Sequence, residues 1–385
     1  MVEEKSLETQ SENQAKRPLN EHKIVEVWAP NLHAEFKNIR EVVKKYPYIA
    51  MDTEFPGVVA KPMGEFKSTF AFHYTTLKLN VDFLKLIQVG ISFFDDNGHS
   101  PPDGGTWQFN FKFNLSCDSF AQESITLLQA AGINFDRLSR EGVEMDDFGE
   151  LLTTSGLVAS HHVTWLSFHS GYDFGYLMSA LMADEELPAD EQQFERMLHL
   201  VFPNLYDIKF MLKEAGPRDV NLRGGLQEVA DQLNVERVGR QHQAGSDALL
   251  TGMTFFKIKE RFFSTNFDTE ISEKIDGKLY GLSAAPTLPH SFLSMASLQR
   301  NPGAFIPPFV MQQQQLQKST GSGGQGLGVH ATTPTSSSIH KSSSGTQLDN
   351  HHSTTGDLSS AHTLMTSAKG LMATKSAAQL ESASQ

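Results

Sequence analysis

The stretch that decides the fold lies at residues 48–57 and reads Tyr-Ile-Ala-Met-Asp-Thr-Glu-Phe-Pro-Gly. Its apolar first half predicts a buried strand over 48–54, and the Pro-Gly pair predicts where that strand ends. Asp52 and Glu54 are two residues apart, so on a strand their side chains share one face. Because burying two carboxylates side by side is costly, this pair favours a functional role over a structural one.

Two further motifs place an acidic residue at the start of a predicted helix. Asp173 follows a predicted strand and the turn His169-Ser170-Gly171. The first turn of a helix favours a carboxylate through the helix dipole, so capping alone is the alternative role for Asp173. Asp247 comes five residues after His242 in Gln-His-Gln-Ala-Gly-Ser-Asp and enters a predicted helix over 244–262. The ordered set of three motifs indicates one shared site.

Four carboxylates that converge on one site repel one another unless cations neutralise them. Mg²⁺ and Mn²⁺ prefer oxygen ligands, and two such ions about 3.5–4 Å apart hold both the attacking and the leaving oxygen of a phosphodiester. We therefore expect two divalent cations. Asp52 would contact both ions, Glu54 the first, and Asp173 and Asp247 would complete the cage. His242 would accept the proton of the attacking water.

Strands interleaved with helices predict an α/β fold with helices packed on a sheet. Besides 48–54, the periodicity predicts strands at 86–94, 106–114 and 163–168, and helices at 32–43, 118–131, 171–181, 226–233 and 244–262. The strand at 106–114 carries alternating aromatic residues that predict a core-facing side, and it fits an antiparallel hairpin. In open α/β sheets the site lies outside the strand ends, where the acidic motifs would meet.

Composition bounds the class of protein. The 385 residues carry a formal charge of −13, which argues against binding nucleic acid through overall charge. Cys117 is the single cysteine, which excludes disulfides and multi-cysteine zinc sites and fits a reducing compartment. The sequence has no secretory signal and no apolar run of about 20 residues. We expect a cytoplasmic location, with the nucleus as a second compartment, and no membrane partner.

The composition also divides the chain into three parts. Residues 1–22 are polar and charged and are predicted to form a disordered arm. Residues 23–268 hold the dense apolar pattern and form the predicted catalytic domain. Residues 269–385 are predicted to be a low-complexity, mostly disordered tail, because 319–385 is rich in Ser, Thr, Gly, Ala and His and follows a run of glutamines at 312–315.

The acidic set with its histidine resembles the DEDD exonuclease superfamily, histidine subtype. Longer strings resemble the Caf/Pop-type catalytic subunits of the CCR–NOT deadenylase complex over roughly residues 24–265. These strings lie at 49–59, 106–115, 166–177, 205–209, 224–230 and 241–253. Two departures are mild: Arg240 stands where a proline is expected, and the segment 182–190 is slightly longer than usual.

The resemblance implies a ribonuclease-H-like exonuclease fold with a mixed central sheet. It implies a 3′-to-5′ exoribonuclease that shortens the poly(A) tails of messenger RNA and releases 5′-AMP, with Mg²⁺ or Mn²⁺ at the site. It further implies two protein partners in the complex. One is a helical-repeat scaffold subunit, and the other is a second deadenylase that contains leucine-rich repeats.

Two alternatives stay open at the level of sequence. The domain would serve as a non-catalytic adaptor between the scaffold and another nuclease, or it would act on DNA or structured RNA.

Phe55, beside Glu54, is a candidate for stacking on a substrate base, with core packing as its equal alternative. Lys85 and Lys209 are candidates for phosphate contacts, and Asp207 is expected either to have a structural role or to support the site through a neighbouring residue.

Overall fold

The computed structural model describes residues 23–102, 104–183, 185–216 and 222–282. In these residues six strands form one sheet: β1 (Ile24–Val27), β2 (Tyr48–Glu54), β3 (Gln88–Phe94), β4 (Thr106–Asn110), β5 (Thr164–Ser167) and β6 (Leu205–Asp207). The helices are α1 (Leu32–Val42), α2 (Thr69–Val81), α3 (Gln122–Ala130), α4 (Phe135–Glu141), α5 (Met145–Thr153), α6 (Gly171–Met182), α7 (Glu191–Val201), α8 (Ile208–Ala215), α9 (Leu226–Gln232), α10 (Ala244–Phe262) and α11 (Ser272–Ile275). No helix in these ranges is long and apolar enough to cross a membrane.

The strands follow the order β1-β4-β3-β2-β5-β6 across the sheet. β3 pairs antiparallel with both β2 and β4, and the other neighbours pair in parallel. The predicted mixed sheet flanked by helices is therefore confirmed, as is the hairpin that contains residues 106–110. In the β2–β3 register, Asp52 lies opposite Gly90 and Glu54 lies opposite Gln88.

The aromatic stripe beginning at Trp107 is buried as predicted, but the strand that carries it is shorter than predicted. β4 ends at Asn110, and Phe111 makes only an isolated bridge to Val143. Phe113 packs in a separate apolar cluster with Phe135, at 5.9 Å between ring centroids. All five residues of β4 are buried, and buried and exposed residues alternate only over 111–114, after the strand has ended. The alternating aromatic pattern therefore overestimates the length of the strand.

The apolar side of α1 is buried, but the residue before the helix does not cap it. Leu32, Phe36 and Ile39 are buried. Asn31 makes no side-chain cap to α1. Its Oδ1 instead accepts a 2.8 Å hydrogen bond from the backbone N–H of Trp28, which closes the short 3₁₀ turn before the helix.

The packed structure continues past residue 268, beyond the predicted domain boundary. A π-helical turn at Phe267–Ile271 leads into α11, and Ile271, Ile275 and Leu282 are buried. Only a few apolar residues, separated by polar ones, attach this segment to the body, so the sequence pattern is weak there. The predicted arm 1–22 and the remainder of the predicted tail, 283–385, lie outside the described residues.

Helix α10 lies directly on the sheet because small residues allow a close approach. A Cβ added at Gly90 of β3 would come within 1.9 Å of the backbone oxygen of Ala244. A Cβ at Gly252 would come within 2.0 Å of the Phe94 ring. α10 begins and ends at the predicted residues, and this contact brings its first turn over the strand that carries Asp52.

Candidate active site

Three of the predicted carboxylates meet at the end of β2. Asp52 is partly exposed, whereas Glu54 and Asp247 are buried, each with about 7% of its surface accessible. Asp52 and Glu54 project from one face of β2, and Asp247 reaches them from the first turn of α10. One oxygen from each of the three carboxylates lies within 4.8 Å of the others. The structure thus gathers residues from two motifs that are far apart in the sequence.

The fourth carboxylate, Asp173, lies beside this group rather than within it. It occupies the first turn of α6, as predicted. Its Oδ1 accepts hydrogen bonds from the backbone N–H of Thr53 at 2.9 Å and from the Thr53 hydroxyl at 2.7 Å. Thr53 stands between Asp52 and Glu54, so these two bonds fix Asp173 at the same strand end.

The carboxylates strongly oppose ionisation of one another. Burial, followed by the charges of Asp247 and Asp173, raises the pKa of Asp52 and of Glu54 well above the ordinary range. Burial raises the pKa of Asp173 to about 6, although its hydrogen bonds from Thr53 act in the opposite direction. A cation in this group would relieve both the burial cost and the mutual repulsion.

Arg237 is a site residue that the sequence analysis missed. Its Nη1 lies 2.7 Å from Asp247 Oδ1 and also donates to Ser246 Oγ at 3.0 Å, while its Nε donates to Gln227 on α9. The guanidinium lowers the pKa of Asp52, Glu54 and Asp247 against the effect of burial. Its contact with Asp247 crosses a loop of irregular structure, so no periodicity in the sequence could have indicated it.

His242 lies in the loop before α10, where the sequence predicts it. Its backbone N–H donates to Asp247 Oδ2 at 2.9 Å. Its φ is +61°, a left-handed conformation that is uncommon for any residue other than glycine. Non-glycine residues in this region cost energy and concentrate at functional sites. Arg240, the residue that replaces the expected proline, is exposed two positions earlier.

Phe55 packs against α6. Its ring stacks on Tyr172 with 5.1 Å between centroids and 15° between planes, and it lies 5.4 Å from the ring of Tyr176. This is the packing role that the sequence left as an alternative. Because the side chain is only half-buried, contact with a base stays a prediction.

Three other candidates have local partners. Asp207 is fully buried and accepts backbone N–H donors from His169 and Tyr280, each at 2.9 Å, so it shapes the turn before α6. Lys85 pairs with Asp118 at 2.7 Å. Lys209 donates to the carbonyl of Gly224, and burial lowers its pKa. Lys209 is therefore engaged inside the fold, whereas the Lys85 side chain is 63% accessible and its contact with phosphate stays a prediction.

The donor set at the strand end fits a hard divalent cation. Each of Asp52, Glu54 and Asp247 offers a carboxylate oxygen, and such oxygens are the ligands that Mg²⁺ and Mn²⁺ prefer. Even with Arg237 beside it, the same group has strongly raised pKa values, which is unfavourable for a purely structural cluster.

A family model for the CAF1 family ribonuclease matches residues 27–147 and 156–255. The chain belongs to the CAF1 ribonuclease family. It is 49% identical over 278 residues to the CCR4-NOT transcription complex subunit 7 of Caenorhabditis elegans, covering 72% of this chain and 89% of that one. It is 47% identical over 288 residues to the poly(A) ribonuclease pop2 of Schizosaccharomyces pombe, covering 74% and 83%.

Solved structures of CAF1 family members share this fold. The Mg²⁺- and Mn²⁺-bound form of S. pombe Pop2p is 47% identical, with a TM-score of 0.63, covering 67% of this chain and 99% of that one. A chain in the structure of the yeast NOT1 MIF4G domain co-crystallised with CAF1 is 32% identical, with a TM-score of 0.56. The match covers 69% of this chain and 99% of that one. The four acidic positions and His242 all lie inside the ranges of the CAF1 family model.

We expect the metal-free protein to lose stability as the pH rises through about 6. The folded state raises the pKa of Asp173 to about 6, whereas the unfolded chain titrates near 3.9. Between these values the folded state holds the extra proton, so the free energy of unfolding falls as the pH rises, by about 3 kcal/mol for this group. Melting in EDTA across this range should show a shallower fall for Asp173→Asn than for the wild type.

The matched control for this pH experiment is Asp136→Asn, an exposed aspartate in the first turn of α4. It should leave the slope unchanged. Identical slopes for Asp173→Asn and the wild type would contradict the raised pKa.

Arg237→Gln should lower the free energy of unfolding of the metal-free protein by about 3 kcal/mol, because removing one partner of a buried ion pair leaves the other charge uncompensated. Urea unfolding in EDTA measures this loss. Lys112→Gln, which breaks an exposed pair with Glu144, is the control and should cost less than about 1 kcal/mol. Equal losses in the two variants would show that Arg237 does not offset the acidic cluster.

Proposed function

We propose that this protein is a metal-dependent 3′-to-5′ exoribonuclease that shortens the poly(A) tails of messenger RNA. The products would be a shortened RNA and 5′-AMP, and the protein would act as a catalytic subunit of a CCR–NOT complex in messenger RNA turnover. The observation that carries the proposal is the group of partly exposed Asp52 with buried Glu54 and Asp247, which has Asp173 and His242 at the same strand end. The relative named a poly(A) ribonuclease supports the choice of substrate.

The four carboxylates would hold two divalent cations, Mg²⁺ or Mn²⁺. The metal-bound S. pombe Pop2p supports the choice of ions, and four carboxylates are enough ligands for a pair. Bound cations would polarise the phosphodiester and stabilise the charge that develops on its oxygens. Asp173, fixed by Thr53, would help to hold the second ion, and Asp52 would serve as a ligand for both.

His242 would accept the proton of the attacking water. The hydrogen bond from its backbone N–H to Asp247 Oδ2 fixes the position of its Cα next to the acidic group. A general base must lie within hydrogen-bond distance of the proton that it accepts. A fixed backbone leaves the imidazole fewer conformations, so less entropy is lost when it takes up that position. Phe55 would contribute an aromatic edge for a base at the 3′ end of the substrate.

Asp52→Ala tests the catalytic proposal. We expect loss of the hydrolytic rate by at least about 10³-fold, since the carboxylate that serves both cations supplies several kcal/mol of transition-state stabilisation. The assay follows a 5′-labelled RNA ending in a run of adenosines, with Mg²⁺ or Mn²⁺ and with EDTA. Asp136→Ala, on the exposed side of α4, is the control and should retain full activity.

The same assay separates the alternatives. If wild-type protein shortens no RNA, the domain is an adaptor or works only inside its complex. Equal rates on poly(A), poly(U) and DNA oligomers would contradict the proposed preference for adenosine.

Two protein partners complete the proposal. The yeast CAF1 crystallised with the NOT1 MIF4G domain supports a scaffold subunit as the first partner. The second is a deadenylase with leucine-rich repeats, for which the described surface offers an apolar patch. Leu79 lies in the last turn of α2 and Phe83 lies two residues after the helix ends, with 40% and 62% of their surfaces accessible. Val59, 42% accessible, is held close by through the hydrogen bond from its backbone N–H to Asn80.

Large exposed apolar side chains that cluster are typical of protein interfaces. A variant carrying both Leu79→Glu and Phe83→Glu should lose binding to a purified leucine-rich-repeat deadenylase while keeping its own hydrolytic activity. Leu200→Glu, at an exposed apolar position on α7, is the control and should bind normally. Loss of scaffold binding instead would assign the patch to the other partner.

We also propose that the protein acts in the cytoplasm and in the nucleus. The exposed, unpaired Cys117 fits a reducing compartment. Fractionation of cells that express the full chain tests this location.

A further inference from the structure

The sheet face that carries the catalytic carboxylates continues sideways as a row of polar side chains. Gly90 and Gln88 on β3 stand opposite Asp52 and Glu54. The next strands extend these two rows through three further residues, Gln108, Asn110 and Glu26. The side chains of Gln88, Gln108 and Asn110 are buried, with 2% of each residue accessible. Buried amides are costly unless they are fully hydrogen-bonded, so this row needs an explanation.

The amide oxygens of the two glutamines cap α10 from the sheet. The backbone N–H of Ala244 donates to Gln88 Oε1 at 3.2 Å, and that of Gly245 donates to Gln108 Oε1 at 2.9 Å. These are the first two residues of α10, and Gln243 before them makes no side-chain cap. The free N–H groups at a helix start are normally satisfied by a nearby residue of the same segment. Here strand residues more than 130 positions earlier in the chain satisfy them.

The same glutamines also hold the side chain that precedes the helix. Gln243 Oε1 accepts from Gln108 Nε2 at 2.8 Å and from Gln88 Nε2 at 3.3 Å. Gln243 Nε2 donates to the carbonyl of Ala131 at 3.1 Å. Residues 243–245 are therefore fixed from both sides, directly between His242 and Asp247.

The rest of the row fixes the orientation of the amides. Gln108 Nε2 donates to Glu26 Oε1 at 2.9 Å, and Asn110 Nδ2 donates to Glu26 Oε2 at 2.7 Å. Gln88 Nε2 donates to Asn110 Oδ1 at 2.8 Å. The amide nitrogens of Gln108 and Asn110 donate to the Glu26 carboxylate, and the Asn110 oxygen accepts from Gln88 Nε2. The oxygens of Gln88 and Gln108 are thereby left for the helix.

We propose that Gln88 and Gln108 are positioning residues for the hydrolytic reaction. They hold the start of α10 against Gly90, and through it they set the positions of His242 and Asp247. The inference rests on the proposed function, because it assigns these two residues a task in that reaction. A displacement of about 1 Å in such groups is enough to cost about 10²-fold in rate.

Gln108→Met tests this role by removing the acceptor for Gly245 while keeping a side chain of similar length. The matched control is Thr106→Val on the same strand. It removes another buried cross-strand hydrogen bond, the 2.8 Å bond between Ser92 and Thr106, without touching residues 243–245. Both variants are assayed as full chains, well below their melting temperatures.

Two readouts are expected to separate positioning from general destabilisation. The kcat of Gln108→Met on an adenosine-ended RNA should fall by about 10- to 100-fold with KM nearly unchanged, while Thr106→Val keeps the wild-type kcat. Amide hydrogen exchange in the peptide covering 243–247 should accelerate by about tenfold in Gln108→Met only. Exchange over β5 should stay the same in all three proteins.

Unchanged kcat and unchanged exchange at 243–247 in Gln108→Met would overturn the proposal, and so would equal effects in Thr106→Val. If Gln108→Met does not fold, Gln243→Met breaks the same network from the partly exposed side and is held to the same two readouts. The exchange measurement needs no substrate. If the wild type proves inactive on every RNA, the proposed function fails on its own, and faster exchange still reports whether the glutamines hold the helix.

Discussion

The direct contact between α10 and β3 at Gly90 is the constraint on which the site depends. The backbone of Ala244 occupies the space where any side chain at position 90 would begin. Because the helix approaches the sheet so closely, the first turn of α10 lies over Asp52, which stands opposite Gly90 in the next strand. A larger residue at position 90 would move the helix away, and Asp247 would leave the group of three carboxylates. Packing and chemistry are therefore set by the same pair of backbone segments.

This contact creates an electrostatic cost that the metal-free protein offsets only in part. Burial and mutual repulsion raise the pKa of Asp52 and of Glu54. The positive charge of the Arg237 guanidinium lowers both pKa values, but less than burial and repulsion raise them. One oxygen of Asp247 contacts the Arg237 guanidinium, and the other accepts a hydrogen bond from the backbone N–H of His242. This single carboxylate therefore connects Arg237 to the loop that carries His242. A fold that keeps such a group in place has its stability coupled to proton and cation binding. That coupling is expected where carboxylates serve a reaction rather than the core.

The sequence predicted the parts of this arrangement that follow a strong local pattern. The bounds of β2 and α10 and the placement of Asp173 in a first helical turn were correct, because apolar periodicity and turn residues mark them. Arg237 was missed because its partner is reached across a loop. Gln108 was missed because only the aromatic side of its strand was interpreted, although polar residues alternating within a buried strand were a usable signal. The packed segment after residue 268 was missed because its few apolar residues attach it only through tertiary contacts.

The negative charge of the chain limits the ways in which the protein can bind RNA, which is itself a polyanion. A formal charge of −13 provides no general attraction for RNA, and the two lysines that the sequence suggested for phosphate contacts already have partners in Asp118 and the Gly224 carbonyl. The carboxylate group itself would repel a phosphodiester unless its charge were reversed locally. Divalent cations at this group would therefore serve two needs at once, substrate attraction and transition-state stabilisation. Binding of RNA and binding of cations should then be coupled, each strengthening the other by the same factor.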